Sequence, residues 1–234
     1  MAAVHGKAAT LYMGSLPLTD YFRAVQTAAT VDTAESSTFG QDDKTYVAGL
    51  GDATLSGEGI YDTSGVGAER DLHEALGSAT KQVFSVYHGG DSFGSPGVGM
   101  SADTTSMETT ADLGDIVMIS AEAQSSTGYE NLVSLHAFST VTASGTSSSY
   151  DGTAGTGAGA AGYLHVAELS GSVAFRIEHS SDEVTWGTLI NFGTITGALG
   201  TRVAATGTVE QYLRLVHTAT SGTAAYVCGL ARKR

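Results

Sequence analysis

The chain has 234 residues, 41% hydrophobic and 15% charged, with 31 Gly and only 2 Pro; this length supports one large or two ordinary folded domains, and the composition excludes a disordered chain and argues against a helical bundle. The net charge of −13 is lopsided: residues 1–140 carry 18 acidic and 5 basic side chains, and residues 141–234 carry 6 of each. Such a surface excludes nucleic-acid binding by phosphate neutralisation, which takes clustered Lys and Arg.

The first predicted strand runs from Val4 to Met13, with Ala9, Leu11 and Met13 alternating against Thr10 and Tyr12. Leu16 to Phe22 reads as a turn leading into an extended segment, Phe22 to Val31, with a short helix as the alternative because Phe22, Val25 and Ala29 lie at helical spacing. A polar turn at Gln41 to Lys44 follows, then a short run Thr45 to Ala48, a Gly49-Leu50-Gly51-Asp52 corner, and a strand from Ala53 to Tyr61. That strand alternates Thr54, Ser56, Glu58 and Ile60 against Ala53, Leu55, Gly57, Gly59 and Tyr61, one polar face and one small or apolar face. Interior glycines weaken a lone strand, so neighbours on both edges or a close backbone contact are expected.

The spacing of Ala68, Leu72 and Leu76, with Glu69 and Asp71 at the start and Gly77 as a stop, predicts a short helix near 68–76 held by packing on a sheet. Lys81 to His88 reads as a strand buried on both sides, and Gly89 to Gly99 as a loop. Ser101 to Ala111 alternates weakly, whereas Asp115 to Gln124 alternates well and is the natural companion of Ala53 to Tyr61, with Glu58 and Glu122 on one polar side. Leu132 to Val141 completes a first module, residues 1–141. The Ser, Thr, Gly and Ala tract 142–162 reads as a linker or loop. Residues 163–234 then hold five predicted strands, Tyr163 to Leu169, Val173 to Glu178, Trp186 to Phe192, Thr208 to Thr218 and Ala224 to Leu230, which suggest a second small β-sandwich.

The chemistry-bearing motifs fail in context. Gly157, Gly159 and Gly162 match the letter of a dinucleotide fingerprint, but the segment after them reads as strand. His73-Glu74 lacks a second His at zinc-protease spacing, Asp42-Asp43 lacks the alternating oxygen ligands of a calcium loop, and His179 to Asp182 are consecutive residues that cannot relay a proton. No cofactor, metal or catalytic residue is assigned, and the chain is expected not to be an enzyme. The single Cys228 lies among Tyr226, Val227, Gly229 and Leu230 and reads as a buried apolar residue, compatible with a reducing compartment. Met1 to Thr10 lacks the pattern of a secretory leader, and no run of about 18 apolar residues suggests a membrane helix.

The order of short motifs carries a resemblance. His5-Gly6-Lys7, Thr38-Phe39-Gly40, Tyr46 to Leu50 and Thr54 to Asp62, followed by His179 to Asp182, Thr185-Trp186, Asn191-Phe192, Val209 and Tyr212-Leu213-Arg214, resemble the major tail tube proteins of bacteriophages with long, flexible, non-contractile tails. The resemblance implies a mainly β fold, a β-sandwich tail-tube module with one flanking helix followed by a second β-sandwich. It implies a virion protein, assembled in the host bacterial cytoplasm, that forms hexameric rings stacked into a hollow tube. Viral DNA passes through that tube without specific binding. Partners would be further copies of the chain and other tail proteins, namely the tape measure, tail terminator and distal tail proteins, with no membrane.

An acidic wall repels phosphates, so Glu58 and Glu122 are the candidate channel-facing residues, with Asp115 near the rim. Gln41, Asp42, Asp43, Lys44 and Asp52 are the candidate ring-stacking residues, from turn chemistry and from the resemblance. The alternative is a carbohydrate-binding or adhesin-like double β-sandwich, with Trp186 and Tyr212 as a sugar platform; a β-fold glycosidase would need two acids in a cleft, and nothing selects a pair.

Overall fold

A computed structural model describes residues 5–39, 42–62 and 68–233. The chain is mainly β. After a 3₁₀ turn at Gly6–Ala8, capped by the His5 ring, come β1 (Thr10–Met13), β2 (Leu16–Pro17), β3 (Phe22–Glu35), β4 (Tyr46–Ile60), α1 (Ala68–Ala75), β5 (Gln82–Tyr87), β6 (Pro96–Thr110), β7 (Met118–Ser125) and β8 (Glu130–Val141). The rest of the chain forms β9 (Gly145–Thr146), β10 (Tyr150–Asp151), β11 (Ala160–Ser180), β12 (Gly187–Ile195), β13 (Leu199–Ala205) and β14 (Tyr212–Arg232). All strand pairs are antiparallel.

In the first lobe, β3, β4, β7 and the second half of β6 make one sheet, and the first half of β6 joins β5, β1 and β2 in another. β6 serves both because a bulge between Thr104 and Ser106 bends it. Leu55, Ile119, Ala121 and Ala123 from the first sheet meet Leu11, Met13, Phe84 and Val86 from the second, and α1 adds Ala68 and Leu72 to the same core.

The second lobe is built on two strands of 21 residues each, β11 and β14, paired along their whole length. Both turn a corner where Gly171 faces Gly222, each at positive φ (84° and 87°), and the Ser170 carbonyl occupies the space a side chain at 222 would need. Beyond the corner the sheet folds over itself, so Leu164 and Val166 face Phe175, Ile177 and Leu213 across one core. β13 and β12 extend the two halves of β11, while β8, β10 and β9 line the far edge of β14. The four segments expected as separate strands, 163–169 with 173–178 and 208–218 with 224–230, are thus two continuous strands. The sequence places Gly171 and Gly222 where a break is expected, and the pairing carries the strands through.

Other boundaries differ as well. The corner at Gly49 to Asp52 is strand, part of β4, because β3 pairs with it through Gly51 and Asp52. β6 begins inside the stretch expected as a loop, and β7 starts at Met118, which leaves Asp115 in the preceding turn. β13 was not expected. Within the tract 142–162, β9 and β10 are laid along β14, pinned by Ser144, Ser147 and the His217 ring, and the last three residues already belong to β11.

Between the lobes lies a third apolar layer. β5 sends Phe84 and Val86 into the first core and Val83 and Tyr87 the other way, against Ala161 and Tyr163 of β11 and Val227 and Ala231 of β14. Gly99 and Gly229 permit this approach, since a side chain at either would meet the Tyr163 or Tyr87 ring. Arg202 of β13 forks onto Glu130 of β8 at 2.8 and 2.6 Å, and the Tyr163 hydroxyl donates to the same carboxylate. The burial of that pair, 16% and 12% exposed, makes each partner dependent on the other.

Candidate assembly surface

The outer face of the β3–β4–β7–β6 sheet is where the acidic candidates lie. Antiparallel register sets Ser56 opposite Glu122 and Glu58 opposite Ser120, so Glu58 and Glu122 share one face as diagonal neighbours. Thr54, Gln124 and Gln26 continue that face, and across β7 the partner of Ser120 is Glu108. Glu58, Glu108 and Glu122 are all exposed. Arg23 reaches Glu58 at 3.3 Å, both side chains half in solvent, a pair that screening leaves weak. Glu122 has Ser106 at 3.4 Å as its side-chain neighbour. Glu108 is absent from the sequence reading because the bulge at Thr104 to Ser106 breaks the period that would have revealed its face.

The expectation that β4 needs support is met twice over. β3 and β7 flank it, and its inward glycines lie under the preceding chain: a Cβ at Gly57 would stand 2.6 Å from the Phe22 ring, and one at Gly59 would stand 2.5 Å from the Tyr21 carbonyl oxygen. Among the described residues both lateral edges of this sheet are open over most of their length: β3 pairs with β4 alone, and β6 beyond residue 102 pairs with β7 and, through a single bridge at Thr104, with Leu76 just after α1.

At one end β3 and β4 run on past β7 as a two-stranded arm, Thr30 to Glu35 against Tyr46 to Asp52. It exposes Val31 (56%), Val47 (59%) and Leu50 (83%), with Phe39 fully exposed in the connection. Asp42, Asp43 and Lys44 lie in that connection, and Lys44 is tied across the arm to Glu35 at 3.0 Å. Asp52 sits lower, at the arm's base on the polar face, where it accepts from Gln124 and from the Ala53 amide at 2.8 Å. The structure therefore separates Asp52 from the other stacking candidates, and Gln41 lies outside the described residues. At the opposite end of the sheet the β6–β7 turn carries Asp115, whose carboxylate accepts from the Ile116 amide at 2.7 Å, beside a fully exposed Leu113.

Large exposed apolar side chains are as uneven as the charge. Among the described residues they are Val31, Phe39, Tyr46, Val47, Leu50, Ile60, Leu76, Phe93, Leu113, Ile116 and Phe138 in the first lobe, and Val184 in the second. An apolar residue inside turn chemistry, as at Leu50 and Leu113, is the sequence signal that could have found these positions.

Of the two aromatics considered as a sugar platform, Trp186 has one ring face covered. The Arg214 guanidinium covers the Trp186 ring at 4.0 Å from its centre, and the Trp186 indole donates to the Glu183 carbonyl. Arg214 is held in turn by Glu178, which also binds Arg176. Burial pushes the Glu178 carboxyl up, but the two guanidinium groups outweigh it and hold it below the usual range.

No family model and no curated protein matches the sequence. Solved structures do resemble it. The virion of a native gene transfer agent particle matches at 14% identity over 55% of this chain and 98% of that chain, with a TM-score of 0.44. The SPP1 tail tube matches at 11% identity over 55% and 78%, TM-score 0.46. The SPP1 Dit protein, described as a paradigm of the hub adsorption apparatus in phages infecting Gram-positive bacteria, matches at 14% identity over 95% and 98%, TM-score 0.40. These likenesses, to a gene transfer agent virion, a tail tube and a hub protein, are all at TM-scores below 0.5.

Proposed function

We propose that this chain is a structural subunit of a phage-type tail, which closes laterally into rings and stacks into a tube whose bore is lined by the acidic face of the β3–β4–β7–β6 sheet. The observation that carries the reading is that sheet itself, finished on its buried side and open at both lateral edges. An unpaired strand edge is a template for another chain, and a subunit with one such edge at each side joins its neighbours head to tail. Rotational closure, with the β3 edge of one copy against the β6 edge of the next, removes every free edge of that sheet.

Glu58, Glu108 and Glu122 then project into the bore, where their charge keeps a polyanion from adhering while it slides. The layer order supports this orientation, because the second lobe stands on the opposite side of the molecule from the acidic face. The ring number of six, the long-tailed class and the tail-protein partners come from the resemblance. Electron microscopy of the purified protein tests the reading: rings or long hollow tubes are expected, and a monodisperse monomer at high concentration would overturn it. Tubes of a Glu58→Lys, Glu122→Lys variant should assemble normally and retain short double-stranded DNA that wild-type tubes release; equal release would remove the acidic bore from the account.

A further inference from the structure

Cations are scarce in this acidic chain, and most of them are neutralised. Among the described residues every Lys and Arg side chain forms an ion pair with a carboxylate except Lys7, Arg232 and Lys233. Arg232 and Lys233 stand together at the end of β14, on the wall of a cleft of about 900 Å³ lined by residues 127–133 of the first lobe and by Tyr150, Gly152, Ala154 and Thr156 of the second. Sites for small molecules have volumes of roughly 300–1,000 Å³ and gather at such junctions.

The Arg232 guanidinium is fixed in place. A Cβ at Gly152 would stand 2.5 Å from its central carbon, so the flat group lies against bare backbone. Nη2 donates to the Glu210 and Gln211 carbonyls at 2.7 and 2.5 Å and Nη1 to the Ala154 carbonyl, while Nε meets no acceptor. These partners are neutral, so the charge is unmatched, and burial pulls the group below the ordinary arginine value. The acids nearby are already engaged: Glu130 holds Arg202 and the Tyr163 hydroxyl, and Asp151 accepts from the Thr153 amide and the Gln211 side chain. Around the cations the cleft presents Tyr129, Asn131 and Tyr150, whose polar side-chain atoms have no partner among the described residues, with Tyr150 close enough to act on the Arg232 charge.

An apolar ligand would strand these groups, and a simple anion would satisfy the cations alone. A polyhydroxyl ring that carries a carboxylate satisfies both sets, and the phenol rings offer flat faces to its C–H side. We propose that this cleft binds a sugar acid, with Arg232 and Lys233 receiving the carboxylate and Tyr129, Asn131 and Tyr150 the hydroxyl groups.

Calorimetric titration of the purified chain with trigalacturonate tests it, with neutral maltotriose and citrate as comparisons. Trigalacturonate should bind roughly tenfold tighter than either and should weaken as salt is raised. Lys233→Glu, at an exposed position, should lower that affinity about tenfold without moving the thermal midpoint, and Tyr150→Phe should weaken trigalacturonate and leave citrate unchanged. Absence of binding, maltotriose or citrate binding as tightly, or full affinity in Lys233→Glu would each overturn the site. Binding by dispersed chains that is lost on assembly would overturn it too, and would assign the cleft to an acidic side chain of a neighbouring copy. None of these results bears on the ring-and-tube reading, which microscopy decides.

Discussion

His165 shows how one side chain records the packing of two lobes. Its ring is buried between β11 and the first lobe, with Nδ1 donating to the Gly14 carbonyl at 2.8 Å and Nε2 accepting from the Ser85 hydroxyl at 2.8 Å. That tautomer is the neutral one, and burial drives the pKa from 6.5 to about 4. Below pH 6.5 the unfolded chain takes up a proton that the folded chain refuses until about pH 4, so stability is lost as pH falls through that window. The loss from this residue is about 3 kcal/mol. His136 and His217 are shifted down as well, chiefly by burial, and act in the same direction. Urea unfolding at neutral pH and near pH 4 should show the decline, and His165→Gln should be less stable at neutral pH but with a shallower slope; an unchanged slope would assign the acid sensitivity elsewhere.

Among the elements, α1 is the clearest case of local signal and tertiary need agreeing. Eight residues are too few to hold a helix alone. Leu72, 3% exposed, buries the helix against the lobe-one core, and Glu69 and Asp71 meet its positive end. Leu72→Ala should cost about 2–4 kcal/mol by the lost burial and the cavity left behind, read as a shift in the denaturant midpoint. A change under a few tenths would mean that the helix is not part of the core. β4 is the opposite case: its strand character over Gly49 to Asp52 comes from pairing with β3, where local turn residues argue for a corner.

For the molecule as a whole, β8 belongs to both lobes, pairing with β6 through residues 130–133 and with β14 through residues 132–141. With the Tyr87–Tyr163 layer and the Arg202–Glu130 pair, this ties the two lobes together. The lobes should therefore unfold together. Fluorescence of Trp186, the single tryptophan, reports the second lobe, and hydrogen exchange at β4 and β7 reports the first. Coincident transitions in urea are expected, and two separated steps would show that the shared strand does not couple them.

Alternation along β4 and β7, the helix between Ala68 and Ala75, the buried character of Cys228 and the acid-rich first part of the chain could all be read from residue order, because each depends on a period or a count. Even the shared face of Glu58 and Glu122 followed once the two strands were taken as neighbours, since side chains opposite each other point the same way. Which glycines break a strand and which let it turn a corner could not be read, for Gly171 and Gly222 are identical locally to glycines in loops. The bulge that brings Glu108 to the acidic face, the arm that leaves Val47 uncovered and the fusion of two lobes through β8 arise from pairings between residues far apart in the chain. Only the tertiary structure decides them, because hydrogen-bond register and the end of a neighbouring strand leave no mark on the local sequence.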